Sequence, residues 1–255
     1  MDLQKTCDAR RRKSILAQWL GHGLGLVFPR NCPLCDRTLE AEDDGCICPA
    51  CLTDFRRIAP PMCHCCGRPV AGQVVNEFTC SHCTGKRLHY DRAISAALAD
   101  TRMLDAIHRF KYQGQVFFGP QLGQLLVECA RIYVPWGEIE AIVPVPLHPR
   151  KERTRQFNQA RILSQALAKA FGTSLVDDNL CRVIDTPSQT FLGAEERRKN
   201  LRAAFRVRQA DDFRGKRLVL VDDVYTTGST ANVCALELRK AGAKQVWVLT
   251  LARAF

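Results

Sequence analysis

The chain has 255 residues, 46% of them hydrophobic, which is enough for one large or two modest cores and too apolar for an intrinsically disordered protein. Lys and Arg outnumber Asp and Glu by 37 to 26, and the formal charge of +11 suits phosphorylated metabolites or nucleic acid as partners. Fourteen cysteines would fit a secreted disulfide scaffold, but eleven lie in the first 83 residues and eight of these form four Cys-x-x-Cys pairs, which points to metal knuckles in a reducing cytoplasm.

Residues 1–30 contain the basic run Arg10-Arg11-Arg12-Lys13, followed by Ile15, Leu16, Trp19, Leu20, Leu24 and Val27 at helical spacing. Gln18 and His22 interrupt a stretch too short to span a bilayer, and no small-residue cleavage site precedes Asn31. An amphipathic helix is therefore expected here, with no transmembrane segment.

Residues 31–88 form the cysteine module. Its pairs are Cys32 with Cys35, Cys48 with Cys51, Cys63 with Cys66, and Cys80 with Cys83. Two thiolates three positions apart can face one tetrahedral ion, and a second knuckle after a short loop completes four sulfur ligands, so these eight residues are expected to hold one or two zinc ions. Sequential pairing and an interleaved pairing use the same ligands, and spacing alone does not choose between them. Cys46, Cys65, His64 and His82 are expected to lie outside the metal sites. So small a segment has few apolar residues, and metal must supply much of its folding free energy. Arg30, Arg37, Arg56, Arg57, Arg68, Lys86 and Arg87 are scattered through it, a pattern compatible with single-stranded DNA or a protein partner.

Residues 89–255 read as an α/β domain. A strand is expected over Arg92 to Leu98, a helix over Met103 to Tyr112 and another over Gly119 to Val134. A short strand from Glu140 to Pro146 exits through Pro-Val-Pro, where Pro144 and Pro146 hold a stiff loop, and His148, Arg150, Lys151, Arg153 and Arg155 follow it. These cations suit a pyrophosphate, with Lys111, Arg150, Lys151 and Arg153 the principal candidates. A long helix is expected to open at Arg155 and run to about Phe171. Arg197 and Asn200 suit either a mobile lid or a helix on which Glu195 and Glu196 offset neighbouring cations.

Leu218-Val219-Leu220-Val221 then leads into Asp222, Asp223, Val224, Tyr225, Thr226, Thr227, Gly228, Ser229 and Thr230. The apolar run fits a strand buried on both faces of a parallel sheet, and a helix follows from Ser229 to Lys240. Ligands of open α/β sheets bind at that carboxyl edge. Paired carboxylates can accept hydrogen bonds from a sugar diol, and a small hydroxyl-rich turn at a helix N-terminus can donate them to a phosphate.

The run 218–230 resembles the phosphoribosyl-pyrophosphate (PRPP) motif of type I phosphoribosyltransferases. That resemblance implies that Asp222 and Asp223 act at the ribose hydroxyls as the catalytic acids, that Thr226 to Thr230 wrap the 5′-phosphate, and that Mg2+ accompanies PRPP. Together with the four cysteine pairs, Phe110 to Gly114, Val143 to Pro146, Arg155 to Gln159, and Gln189 with Glu196, Arg197 and Asn200, the chain resembles the ComF/GntX proteins over roughly residues 20–255. The implied fold is a type I phosphoribosyltransferase-like parallel sheet flanked by helices, preceded by a small zinc-ribbon-like module. The implied function is PRPP binding in the uptake or utilisation of external DNA, alongside proteins of the DNA-uptake machinery. The alternative is an active PRPP-dependent transferase with an unidentified acceptor.

Overall fold

The structure, a computed structural model, describes residues 30–40, 42–43, 45–72, 77–185 and 203–254. The amphipathic segment before Arg30 and the residues Gln189, Glu196, Arg197 and Asn200 lie outside the described residues. The chain divides into two compact units, Met1–Asp54 and Phe55–Phe255.

In the first unit, a short helix among the described residues, α1 (Pro49–Thr53), forms part of the second knuckle and carries Cys51. Pro49 at its first position needs no backbone partner, and the Cys48 side chain caps it by accepting from the Cys51 N–H.

The second unit is built on a five-stranded parallel sheet of order β1-β7-β6-β2-β3. Its strands are β1 (Arg92–Leu98), β2 (Ala141–Pro144), β3 (Ser174–Leu175), β6 (Arg217–Tyr225) and β7 (Gln245–Arg253). A separate antiparallel pair joins β4 (Leu180–Arg182) to β5 (Phe205–Val207). The α-helices among its described residues are α2 (Thr101–Tyr112), α3 (Gly119–Tyr133), α4 (Pro149–Arg155), α5 (Gln159–Phe171) and α6 (Ser229–Lys240). The expected parallel sheet with flanking helices is present. No helix among the described residues is long and apolar enough to cross a membrane.

Central β6 is flanked by β7 and β2, which explains why Leu218 to Val221 can all be apolar and fully buried. Side chains alternate across the sheet. Leu218, Leu220, Val246 and Val248 share one buried cluster with Ala235 and Leu238 of α6 and with Cys63, Cys66, Cys80 and Cys83. The second cysteine ribbon is therefore part of the core on that face of the sheet. Helices α3 and α5, which contribute nothing to that cluster, pack together and cover the other face. The ribbon is also tied to edge strand β1, because Cys65 O accepts from Ala93 N at 2.8 Å. Gly67 makes this approach possible: its φ is +66°, and a Cβ there would sit 2.6 Å from Ala93 O.

Three local elements differ from the sequence expectation. The strand carrying the acids continues through them to Tyr225, since β7 offers partners as far as Arg253. The cations after Pro-Val-Pro lie on a short helix, α4, that the sequence reading does not anticipate, because Pro149 starts it and the His148 ring accepts from Arg150 N at 3.3 Å. The expected long helix from Arg155 is broken at Gln156, whose φ of +66° ends α4. Helix α5 starts afresh where Asn158 accepts from Ala160 N at 2.9 Å while donating to Val145 O at 3.1 Å.

Candidate metal centres and phosphate pocket

The cysteines resolve into two groups of four, Cys32/Cys35/Cys48/Cys51 and Cys63/Cys66/Cys80/Cys83, with the sulfur atoms in each within 4.8 Å of one another. This is the sequential pairing; the interleaved one does not occur. A tetrahedral zinc–thiolate site with bonds of about 2.3 Å places its sulfurs about 3.8 Å apart. Close Sγ pairs here lie at 3.9 Å for Cys32 with Cys51, 3.6 Å for Cys35 with Cys48, and 3.7 Å for Cys66 with Cys80. Backbone N–H groups also point at sulfur, from Cys48 to Cys32 at 3.4 Å and from Cys80 to Cys63 at 3.3 Å, an arrangement that favours thiolates. The donor sets fit two Zn2+. His64, His82, Cys46 and Cys65 stand outside both groups; His64 faces Glu77 at 3.4 Å, and His82 faces Lys86 at 2.9 Å.

At the carboxyl edge of the sheet, β6 delivers Asp223 into a buried position and leaves Asp222 half-buried. Each carboxylate is oriented by the chain itself: Asp222 Oδ1 accepts from Asp223 N at 2.9 Å, and Asp223 Oδ1 accepts from Val224 N at 2.8 Å. The other oxygen of Asp223 meets the Lys111 ammonium at the end of α2 in a short ion pair. Lys111 is thus placed against the acids, more than one hundred residues away in sequence.

Burial pushes the Asp222 carboxyl up to about 6, although Lys111 and Arg182 pull it back. Burial also lowers Lys111 to about 8, with Arg155 acting in the same direction and Asp222 opposing. Arg182, on β4, had no signal in the local sequence that linked it to this site. Lys151 is lowered by burial and by its neighbours Arg182 and Arg155, whereas Arg150 is largely exposed and 3.9 Å from Asp185. Arg153 is exposed. Of the four cations expected to bind pyrophosphate, Lys111 meets the acids, Lys151 lies among Arg182, Asp185 and Arg155, and Arg150 and Arg153 are exposed.

Beyond the acids, Thr226, Thr227 and Ser229 are exposed on a turn, with Thr227 and Ser229 hydroxyls 2.8 Å apart. Gly228 caps α6 at φ +77°, and a Cβ there would overlap the Tyr225 hydroxyl. A small pocket is lined by Asp222, Val224, Tyr225, Thr226, Gly228, Ser229 and Thr230. It combines the Asp222 carboxylate, hydroxyls and a helix N-terminus in one concavity.

The double zinc ribbon domain family matches residues 23–84. Competence protein F from Haemophilus influenzae is 32% identical over 231 residues, covering 89% of this chain and 98% of the relative. The DNA utilization protein YhgH from Salmonella typhimurium is 33% identical over 229 residues, covering 88% and 98%. Among solved structures, purine phosphoribosyltransferase from Pyrococcus horikoshii is similar over 53% of this chain and 82% of that one, at 18% identity and a TM-score of 0.34.

Proposed function

This chain belongs to the family of competence protein F and the YhgH DNA utilization proteins, and from that premise we propose that it binds PRPP with Mg2+ at the Asp222–Thr230 edge and acts in the use of external DNA. The observation that carries the PRPP reading is a pocket in which Asp222 and the Thr226–Thr230 turn share one lining, with Lys111, paired to Asp223, acting electrostatically on Asp222. Asp222 and Asp223 accept hydrogen bonds from the ribose 2′- and 3′-hydroxyls, and the turn donates N–H and O–H groups to the 5′-phosphate. In this reading Lys111 and Lys151 supply positive charge to the pyrophosphate, while Mg2+ would neutralise the rest. Calorimetry with PRPP and Mg2+ tests this reading, and absence of binding to the zinc-loaded protein would remove it.

A transferase is the second reading. It is favoured by the cations beside the acids, because a site that releases pyrophosphate needs groups that stabilise the leaving charge. Two carboxylates beside the sugar would also stabilise positive charge developing at the anomeric carbon. A turnover assay across nucleobases, nucleotides and single-stranded DNA separates the readings: pyrophosphate release that needs an added acceptor supports catalysis, and binding without consumption supports a sensor.

The DNA role predicts sequence-tolerant, salt-sensitive binding of single-stranded DNA, with arginines of the ribbon region and the α4 cations as contributors. Anisotropy that stays flat at low salt would leave the ribbons as docking elements for protein partners.

A further inference from the structure

The last residue of β6, Tyr225, carries the phosphate turn, and its surroundings lead away from the pocket towards the second cysteine group. Its hydroxyl is hydrogen bonded to that of Tyr90 at 2.6 Å, with the rings edge to face at 6.4 Å. The Arg253 guanidinium lies 4.5 Å from the Tyr225 ring centroid, on the strand residue that pairs in register with Tyr225. Arg253 Nη1 donates to Cys66 O at 2.6 Å, and Nη2 to Cys66 Sγ at 3.3 Å. On its other side, Tyr225 is packed so closely by Gly228 that a methyl group there would overlap its hydroxyl. Cys66, Arg253, Tyr225 and Gly228 thus form a continuous line from a metal ligand to the centre of the phosphate turn.

The chemistry of Arg253 gives this line a direction. It is 3% exposed, and no carboxylate pairs with it among the described residues. A buried cation needs a compensating charge. Four thiolates around a divalent ion carry a net negative charge, and Arg253 touches that cluster through Cys66. The loaded cluster therefore holds the guanidinium in place, and the guanidinium holds the tyrosine ring against which the turn is built.

We propose that Arg253 is a positioning residue that couples metal loading of the Cys63/Cys66/Cys80/Cys83 cluster to the shape of the Thr226–Thr230 turn. Resting on the PRPP reading above, metal at the cluster and PRPP at the turn then strengthen each other's binding by the same factor.

The full chain is compared as the zinc-loaded protein, after zinc removal by a chelator, and as the Arg253→Met and Arg253→Lys variants, with circular dichroism confirming the fold. Hydrogen exchange of the amides from Thr226 to Ala231 reads the turn without any ligand. Calorimetry with PRPP and Mg2+ reads the pocket. In folded Arg253→Met, exchange of the turn should accelerate and PRPP affinity should fall by at least about fivefold, the lower end of ordinary coupling. Arg253→Lys should recover part of both effects, because it keeps the charge and loses the forked contact. Folded Arg253→Met with unchanged exchange of the turn would overturn the coupling, whether or not PRPP binds. If zinc-loaded wild-type protein binds no PRPP while exchange still responds to Arg253→Met and to zinc removal, the PRPP reading fails and the coupling of metal to turn stands.

Discussion

Lys111 and Asp223 form an ion pair between the last turn of α2 and the carboxyl end of β6, with their side chains 17% and 5% exposed. Pairs this buried are expensive to break from one side, because the remaining charge keeps its desolvation cost. Lys111→Ala should therefore destabilise the protein by roughly 3–5 kcal/mol, read by chemical denaturation, and should also weaken PRPP binding. Lys111→Met combined with Asp223→Asn should restore most of the stability and none of the binding. If the double variant bound PRPP normally, this pair would have no part in recognition.

The two titrations at the site set a pH window. The Asp222 carboxyl is raised to about 6, so its contribution to stability is present below its unfolded value and lost as pH rises through about 6. Lys111 is lowered to about 8, so its contribution is present above its unfolded value and lost as pH falls through about 8. Between these values both groups are charged in the empty pocket at a cost to the fold. PRPP affinity should therefore be highest between about pH 6 and 8, and Asp222→Asn should abolish the acidic limb while raising the ligand-free stability at pH 7 by on the order of 1 kcal/mol. A wild-type profile that is flat from pH 5 to 9 would contradict this assignment.

Gly228 is held at φ +77° with no room for a side chain beside Tyr225. Gly228→Ala should cost more than about 1 kcal/mol and displace the turn, reducing PRPP affinity strongly while leaving both metal equivalents bound. Tyr225→Phe in the same chain should recover part of the loss by removing the hydroxyl that the methyl group meets. Normal PRPP binding by Gly228→Ala alone would show that the turn does not need this packing.

Metal loss should act differently at the two cysteine groups. Elemental analysis should find two zinc ions per chain, and Cys48→Ser or Cys80→Ser should each remove one. Only Cys80→Ser should lower the melting temperature of the sheet-containing unit, because the second group shares its buried cluster with Ala93, Val246 and Val248. An unchanged melting temperature of that unit in Cys80→Ser would argue that the second ribbon contributes nothing to its core.

Much of the site was legible in the chain because its decisive features are local. An apolar run entering Asp222-Asp223 and a Thr-Thr-Gly-Ser-Thr turn specify a strand, an edge and a helix start within thirteen residues, and the cysteine knuckles specify ligands by their spacing. What stayed hidden depends on register between distant strands. Tyr225 meets Arg253 only because β6 and β7 pair through their last residues, and Arg253 meets Cys66 only because the ribbon packs beside the edge strand β1. Lys111 could be chosen as a phosphate ligand from its charge, but its pairing with Asp223 follows from where α2 ends above the sheet. Helix α4 was recoverable: His148-Pro149 is a cap followed by a helix-starting proline, a signal that the preceding Pro-Val-Pro obscured.

The most direct test is an isothermal titration of the zinc-loaded protein with PRPP and Mg2+, set beside the Asp222→Asn, Asp223→Asn double variant with its fold verified by circular dichroism. The wild-type chain should show saturable one-to-one binding, and the variant an affinity at least about a hundredfold lower, equivalent to about 2.8 kcal/mol. Equal affinity in the two proteins would place the ligand elsewhere and contradict the assignment of the β6 edge as the PRPP site.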